Sequence, residues 1–183
     1  WVFMIKTILK RLKNYQDLFI ILAWREFNIR YKQTVLGVLW AILQPLIMML
    51  LFTIVFTFFI PVKVTHHPYP IFFYSGLIFW TFFVVSIHYS IPCLKNNYTL
   101  ITRIYFPKEA IVFSGIAVAF IDMLIAFVIL LILTALYNVP ISFNILWAVP
   151  LIILLLIFTI SISLVLSALN VFYKDVALAS NFL

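Results

Sequence analysis

The sequence predicts an all-α membrane protein, and three observations carry the prediction. Apolar residues make up 67% of the chain against 9% charged, four long apolar runs contain neither Lys nor Arg, and all but one of the 12 Lys and Arg residues lie on one side of those runs. A soluble domain is about half apolar and one-quarter charged. A chain of 183 residues folded in water would bury only about 70% of its surface, too little to hide four such runs. Barrel strands would show alternating segments of about ten residues. These runs are continuously apolar, so each is read as a helix.

The runs are residues 35–60, 71–91, 111–137 and 150–170, each long enough for the roughly 20 residues of a membrane-crossing helix. They divide the chain into an N-terminal segment, 1–33, and a transmembrane domain, 34–183. Lys and Arg flanking a span are retained in the cytoplasm. Lys6, Lys10, Arg11, Lys13, Arg25, Arg30 and Lys32 precede the first run, Lys95, Arg103 and Lys108 lie between the second and third, and Lys174 follows the fourth. Only Lys63 lies on the other side. Both ends of this chain are therefore expected in the cytoplasm. The net charge of +7 then serves anionic headgroups or a cytoplasmic partner, and no nucleic-acid role is needed. Tyr69, Tyr137 and Trp147 are expected at the outer edge, and Trp24, Tyr31, Tyr98, Tyr105 and Tyr173 at the inner one. Cys93 is the single cysteine, so no intrachain disulfide exists, and it reads as structurally inert. The first span is too long for a secretory signal and lacks a small-x-small cleavage site.

Asp17–Lys32 reads as an interfacial helix. At 100° per residue Asp17, Arg25, Asn28 and Lys32 fall within about 80°, while Ile20, Trp24, Phe27 and Tyr31 form an adjacent stripe. Glu26 and Arg30 interrupt the apolar arc but stand at i and i+4, in the favourable order for a pair. Trp24, Arg25, Phe27 and Arg30 are the candidate interface residues. The helix is either a platform for a soluble partner or a plain membrane anchor.

In the first span Gly37, Trp40 and Gln44 share a face, and Pro45 is expected to kink the helix because it lacks an N–H and crowds the carbonyl of Ala41. In the second, Ser75, Phe79, Phe82, Ser86 and Tyr89 share one face. Trp40, Gln44, Ser75, Phe79, Phe82, Ser86 and Tyr89, which combine aromatic faces with polar groups, are candidates for a channel wall; lipid contact and helix packing are the alternative. Between the second and third spans, 96–106 is long enough for a short helix that Pro107 must end. Its mixture of cations with Leu100, Ile101, Ile104, Tyr105 and Phe106 suits docking into a groove better than a solvated turn.

Asp122 is the one acid within a span. An ionisable group at mid-bilayer costs about 2.5–3.5 kcal/mol on insertion scales, so it should face protein or water. Gly115, Ala119, Asp122 and Ala126 share one face, as do Thr159, Ser163, Ser167 and Asn170. The expectation is that spans three and four pack on these stripes, with Asp122 hydrogen-bonded to Thr159 or Ser163. A structural role for Asp122 is favoured over proton movement, because no His or acid partner is visible.

Catalysis finds little support. There is no G-x-x-x-x-G-K-[ST] loop, and Gly37, Gly76 and Gly115 are the only glycines, so ATP hydrolysis in this chain is excluded. Five acids form no evident pair for acid–base work, which counts against a membrane glycosyltransferase or hydrolase. No metal site is expected, adjacent His66 and His67 lacking further ligands.

Three motifs in order, RYKQTVLGVLWAILQP (30–45), NNYTLITRIYFPKEA (96–110) and LNVFYKDV (169–176), resemble the permease subunits of bacterial ABC exporters of polysaccharide, of the O-antigen (lipopolysaccharide) or teichoic acid type. The resemblance covers nearly the whole chain. It implies an inner-membrane permease homodimer that moves a lipid-linked glycan and pairs with two cytoplasmic ATPase subunits holding ATP and Mg²⁺. It also implies a coupling helix, here 96–106, whose contact residues would be Asn97, Tyr98, Leu100, Ile101, Arg103, Tyr105 and Phe106. Such permeases have six spans and a re-entrant outer element; four spans are visible here, so the chain is expected to be a fragment. Without the resemblance, the residues are also compatible with an ABC permease for a drug or lipid, or with a non-ABC channel or secondary transporter.

Overall fold

The computed structural model describes residues 16–32, 34, 36–37, 39–58, 68–103, 106–139 and 143–180. Among them the order is α1 (Gln16–Tyr31), α2 (Leu39–Phe58), α3 (Tyr69–Asn96), α4 (Tyr98–Arg103), α5 (Glu109–Leu136), a 3₁₀ turn (Phe143–Trp147), α6 (Ala148–Phe172) and α7 (Asp175–Ala179). Four of these, α2, α3, α5 and the helix from Ile145 to Phe172, are long and apolar enough to cross a membrane. The expected all-α architecture with four spans is what forms.

Local chemistry sets several boundaries differently from the apolar runs. The first span starts at Leu39 rather than 35, because Gly37 takes a left-handed φ of 52° that glycine adopts without steric cost. The Leu39 and Trp40 amides bond back to the Leu36 and Gly37 carbonyls. Gly37 therefore belongs to the turn and not to the helical face expected to hold it with Trp40 and Gln44. Helix α2 continues through the buried Pro45. Helix α3 likewise runs through Pro92 to Asn96, beyond the expected end at 91, and leaves the His88 carbonyl without its usual helical donor. Helix α5 ends in a left-handed Asn138, φ 52°. There the Val139 amide reaches the Thr134 carbonyl and the Asn138 amide that of Ala135, the paired bonds of a Schellman cap.

The chain gathers into two compact groups. One holds α1, Val84–Ala119 and the chain from Phe158; the other holds Val35–Phe83 and Phe120–Ile157. In the first, the beginning of α5 is the densest part of the core: Ala110, Ile111, Val112, Ile116, Val118 and Ala119 are buried, as are Ile87 and Ile91 of α3. In the second, α2 meets the start of α3 through rings, Phe52 lying 4.5 Å from Phe73 and Phe56 5.7 Å from Tyr69. Phe82 meets Phe120 edge-on at 6.2 Å. Centroid separations of about 4.5–7 Å suit the ring quadrupoles. About a third of the apolar windows of α3 and α5 is buried, against 11% for α2 and for the Ile145–Phe172 helix. The latter two thus present long apolar surfaces, as helices meeting lipid or other protein do.

Candidate functional site: the joint of α1, α3 and α4

Asn97 interrupts the helical run between α3 and α4 and organises what surrounds it. Its carbonyl accepts the amides of Leu100 and Ile101, both at 3.0 Å, which starts α4. Its side chain, only 5% exposed, faces backward: Nδ2 donates to the Cys93 carbonyl at 2.9 Å, and Oδ1 accepts from Arg25 Nη1 at 2.8 Å. One amide thereby ties α1, the end of α3 and the start of α4. The charged donor makes the Arg25 bond one of the stronger class.

Further along α1, the Arg30 guanidinium lies 5.3 Å from the Tyr31 ring centroid and 4.8 Å from that of Tyr89 on α3. A cation on a tyrosine face contributes about 0.5–1 kcal/mol when exposed and about 2 when desolvated; Arg30 Nη1 is buried. Trp24 stacks on Phe27 at 5.7 Å, and Phe27 meets Tyr31 at 4.9 Å. The helix forms as expected, but it turns a different face inward. Leu22 is buried and Glu26, Phe27 and Arg30 are half-buried, whereas Ile20, Ile21 and Trp24 are all exposed beside exposed Asp17 and Arg25. The charged residues expected to interrupt the apolar face thus lie on the packed one, because Tyr89 offers a ring to Arg30. The exposed apolar residues are suited to lipid.

The other candidates separate by burial. On α4, Tyr98 and Arg103 are exposed and Leu100 and Ile101 half-buried. Asn97 and Phe106, expected as contact residues, are buried; Tyr105 lies outside the described residues, as do His66 and His67. Of the channel-wall set, Trp40, Gln44 and Tyr89 are exposed and Ser75 and Phe79 half-buried. Phe82 and Ser86 are 2% and 0% exposed, so these two face protein within the chain.

Spans three and four each contact α3 through a residue of their small or polar stripe. Gly115 lies against α3: a Cβ there would stand 3.6 Å from Tyr89 Cβ. On α6, Thr159, Ser163, Ser167 and Asn170 are all buried as their stripe requires, and Asn170 Nδ2 donates to the Ile91 carbonyl of α3 at 2.9 Å. Gly115 and Asn170 therefore each meet α3. The hydroxyls of Thr159 and Ser163 carry no hydrogen bond among the described residues, and Asp122 is half-buried. Asn170→Leu should lower stability by about 1 kcal/mol, within the range of interhelical hydrogen bonds in membranes; a melting midpoint unchanged from wild type would show that this contact contributes nothing.

Sequence reasoning missed three features: Tyr89 as the seat of Arg30, Asn97 as a joint, and the burial of Ser86 and Ser90. The last had a signal, two hydroxyls at i and i+4 in an apolar run. The first two depend on contacts distant in sequence.

Comparison with known proteins fits this architecture. The chain is 27% identical over 160 residues to an O-antigen export system permease protein RfbA of Klebsiella pneumoniae, covering 87% of this chain and 61% of that protein. It is 25% identical over 168 residues to an O-antigen export system permease protein RfbA of Myxococcus xanthus, covering 92% and 64%. It thus spans less than two-thirds of the length of these curated relatives. The family model described as ABC-2 type transporter matches residues 17–183, which takes in every helix from α1 to α7, and the chain therefore belongs to the ABC-2 type transporter family, as a multi-pass membrane protein.

Proposed function

We propose that this chain is part of the permease subunit of an ATP-driven exporter that moves a lipid-linked polysaccharide across the bacterial inner membrane. The observation that carries the reading is the family match over residues 17–183 joined to O-antigen export permeases as relatives. The transport subunit binds no nucleotide; a partner ATPase binds ATP and Mg²⁺. Two permease copies form the path. Both ends of the chain face the cytoplasm, which puts α1 and α4 on the ATPase side.

The joint gives this reading a mechanical form. Closure of the ATPases on ATP pushes on α4 through its exposed face, where Tyr98 is 69% exposed. Asn97 passes that displacement to Arg25 of α1 and to the Cys93 carbonyl of α3, and Arg30 on Tyr89 makes α1 and α3 move together. A short helix held by one buried amide transmits force as a lever, because it cannot bend without breaking those bonds. Tyr98→Asp together with Ile101→Asp should abolish glycan export and the permease-dependent stimulation of ATPase activity, with the permease still present in the membrane. Unchanged export in that double variant would remove α4 from the coupling path.

A further inference from the structure

An open cleft of about 320 Å³ lies beside the joint, lined by Arg25, Asn96, Asn97, Thr99, Leu100 and Arg103. Its composition is unusual in this chain: two guanidiniums, two amides, a hydroxyl and no acid. Arg25 uses Nη1 on Asn97, which orients the fork and leaves other N–H groups for a ligand. Arg103 makes no hydrogen bond or ion pair among the described residues. Two guanidiniums facing one cleft without a counter-charge repel each other, and a tetrahedral oxyanion between them relieves the repulsion with bidentate bonds. Thr99 and Asn96 add donors for the remaining oxygens.

The surroundings say what carries that anion. On α1, Ile21, Arg25 and Ile29 follow at steps of four, all on one face, with Ile21 63% and Ile29 59% exposed and Trp24 beside them at 65%. A cation set within an exposed apolar ridge matches an amphiphile: phosphate at the guanidinium, acyl chains along the ridge. A soluble phosphate has no use for that ridge. The exposed face carrying Tyr98 and Thr102 is centred about 100° around α4 from Thr99 and Arg103, so a surface offered to an ATPase adjoins the cleft without coinciding with it. We infer that the Arg25–Arg103 cleft binds the phosphate of an anionic phospholipid of the surrounding bilayer, next to the joint that moves α4. This goes beyond the proposed export function and stands whichever glycan is moved.

The test uses the full-length permease with the subunits it retains on purification. Its melting midpoint is followed against short-chain phosphatidylglycerol, phosphatidylcholine of the same chain length, and inorganic phosphate. Phosphatidylglycerol should raise the midpoint saturably and the other two should not. Arg103→Gln, at a side chain that holds no other polar contact among the described residues, should weaken the apparent affinity about tenfold, the loss of one charge-assisted bond; Arg25→Gln with Arg103→Gln should abolish the shift, and Arg103→Lys should keep part of it. Equal shifts from the two lipids, or an unaffected Arg103→Gln variant, would overturn the site. A full shift from inorganic phosphate alone would make it a soluble-anion site, and protection only by the ATPase would assign the cleft to that subunit; either outcome overturns the lipid.

Discussion

Replacing Asn97 with Leu is expected to reduce export by about five- to thirtyfold while the permease still reaches the membrane. Leu is of similar size but supplies neither the acceptor for Arg25 nor the donor for the Cys93 carbonyl, the two bonds of 2.8 and 2.9 Å that hold the joint. Hydrogen bonds to charged groups contribute about 1.5–3 kcal/mol, and a loss of about 1–2 kcal/mol shifts an equilibrium by a factor of about 5–30. Arg25 is exposed and regains water, so the cost falls on the ordering of α4 rather than on the whole fold. Hydrogen exchange should accordingly quicken across Tyr98–Arg103 and remain slow in the buried start of α5. Asn97→Asp keeps an acceptor for Arg25 and should retain most activity. An Asn97→Leu permease with normal export and normal exchange in α4 would contradict the role of the joint.

Gly115→Leu is expected to have the largest effect on stability. The position faces α3, with a Cβ standing 3.6 Å from Tyr89 Cβ and 4.0 Å from its carbonyl carbon. That is ordinary contact for one methyl, so Gly115→Ala should be close to wild type. The further carbons of Leu have only α3 to enter, in a region where Ser114, Ile116 and Ala119 are 4% exposed or less. Overpacking of this kind costs about 1–3 kcal/mol, and here it also displaces Tyr89 from under Arg30. The melting midpoint of the extracted permease measures it: near wild type for Ala, well below for Leu. A Leu variant as stable as wild type would mean that α3 and α5 do not approach closely at this point.

The spans were legible because membrane crossing is a property of one segment: about 20 apolar residues need no knowledge of neighbours. The burial of Thr159, Ser163, Ser167 and Asn170 was legible for a similar reason, since hydroxyls and amides in a span must leave the lipid. Their partner was not. A polar stripe says that a face is covered and not by which helix, and Gly115 and Asn170 meet α3 at Tyr89 and at the Ile91 carbonyl. The same limit applied to α1. Periodicity placed Glu26 and Arg30 against the pattern, and only the ring of Tyr89, 59 positions on from Arg30, makes the packed face a charged one. Asn97 was expected inside the short helix over 96–106, and its role as the joint was hidden because its hold on Arg25 spans 72 residues. In a membrane chain burial of apolar groups discriminates weakly among helix faces, because lipid accepts them all; specific polar contacts decide, and those are non-local.

Whether α4 is where an ATP-hydrolysing partner engages this permease can be read from a photoreactive residue placed at position 98, in the full-length protein in living cells. A cross-link to a cytoplasmic ABC ATPase, strengthening or weakening with nucleotide state, is the outcome expected of an exposed Tyr98 on the coupling face. Absence of any cross-link to an ATPase, with the labelled permease at normal level and still exporting glycan, would contradict it.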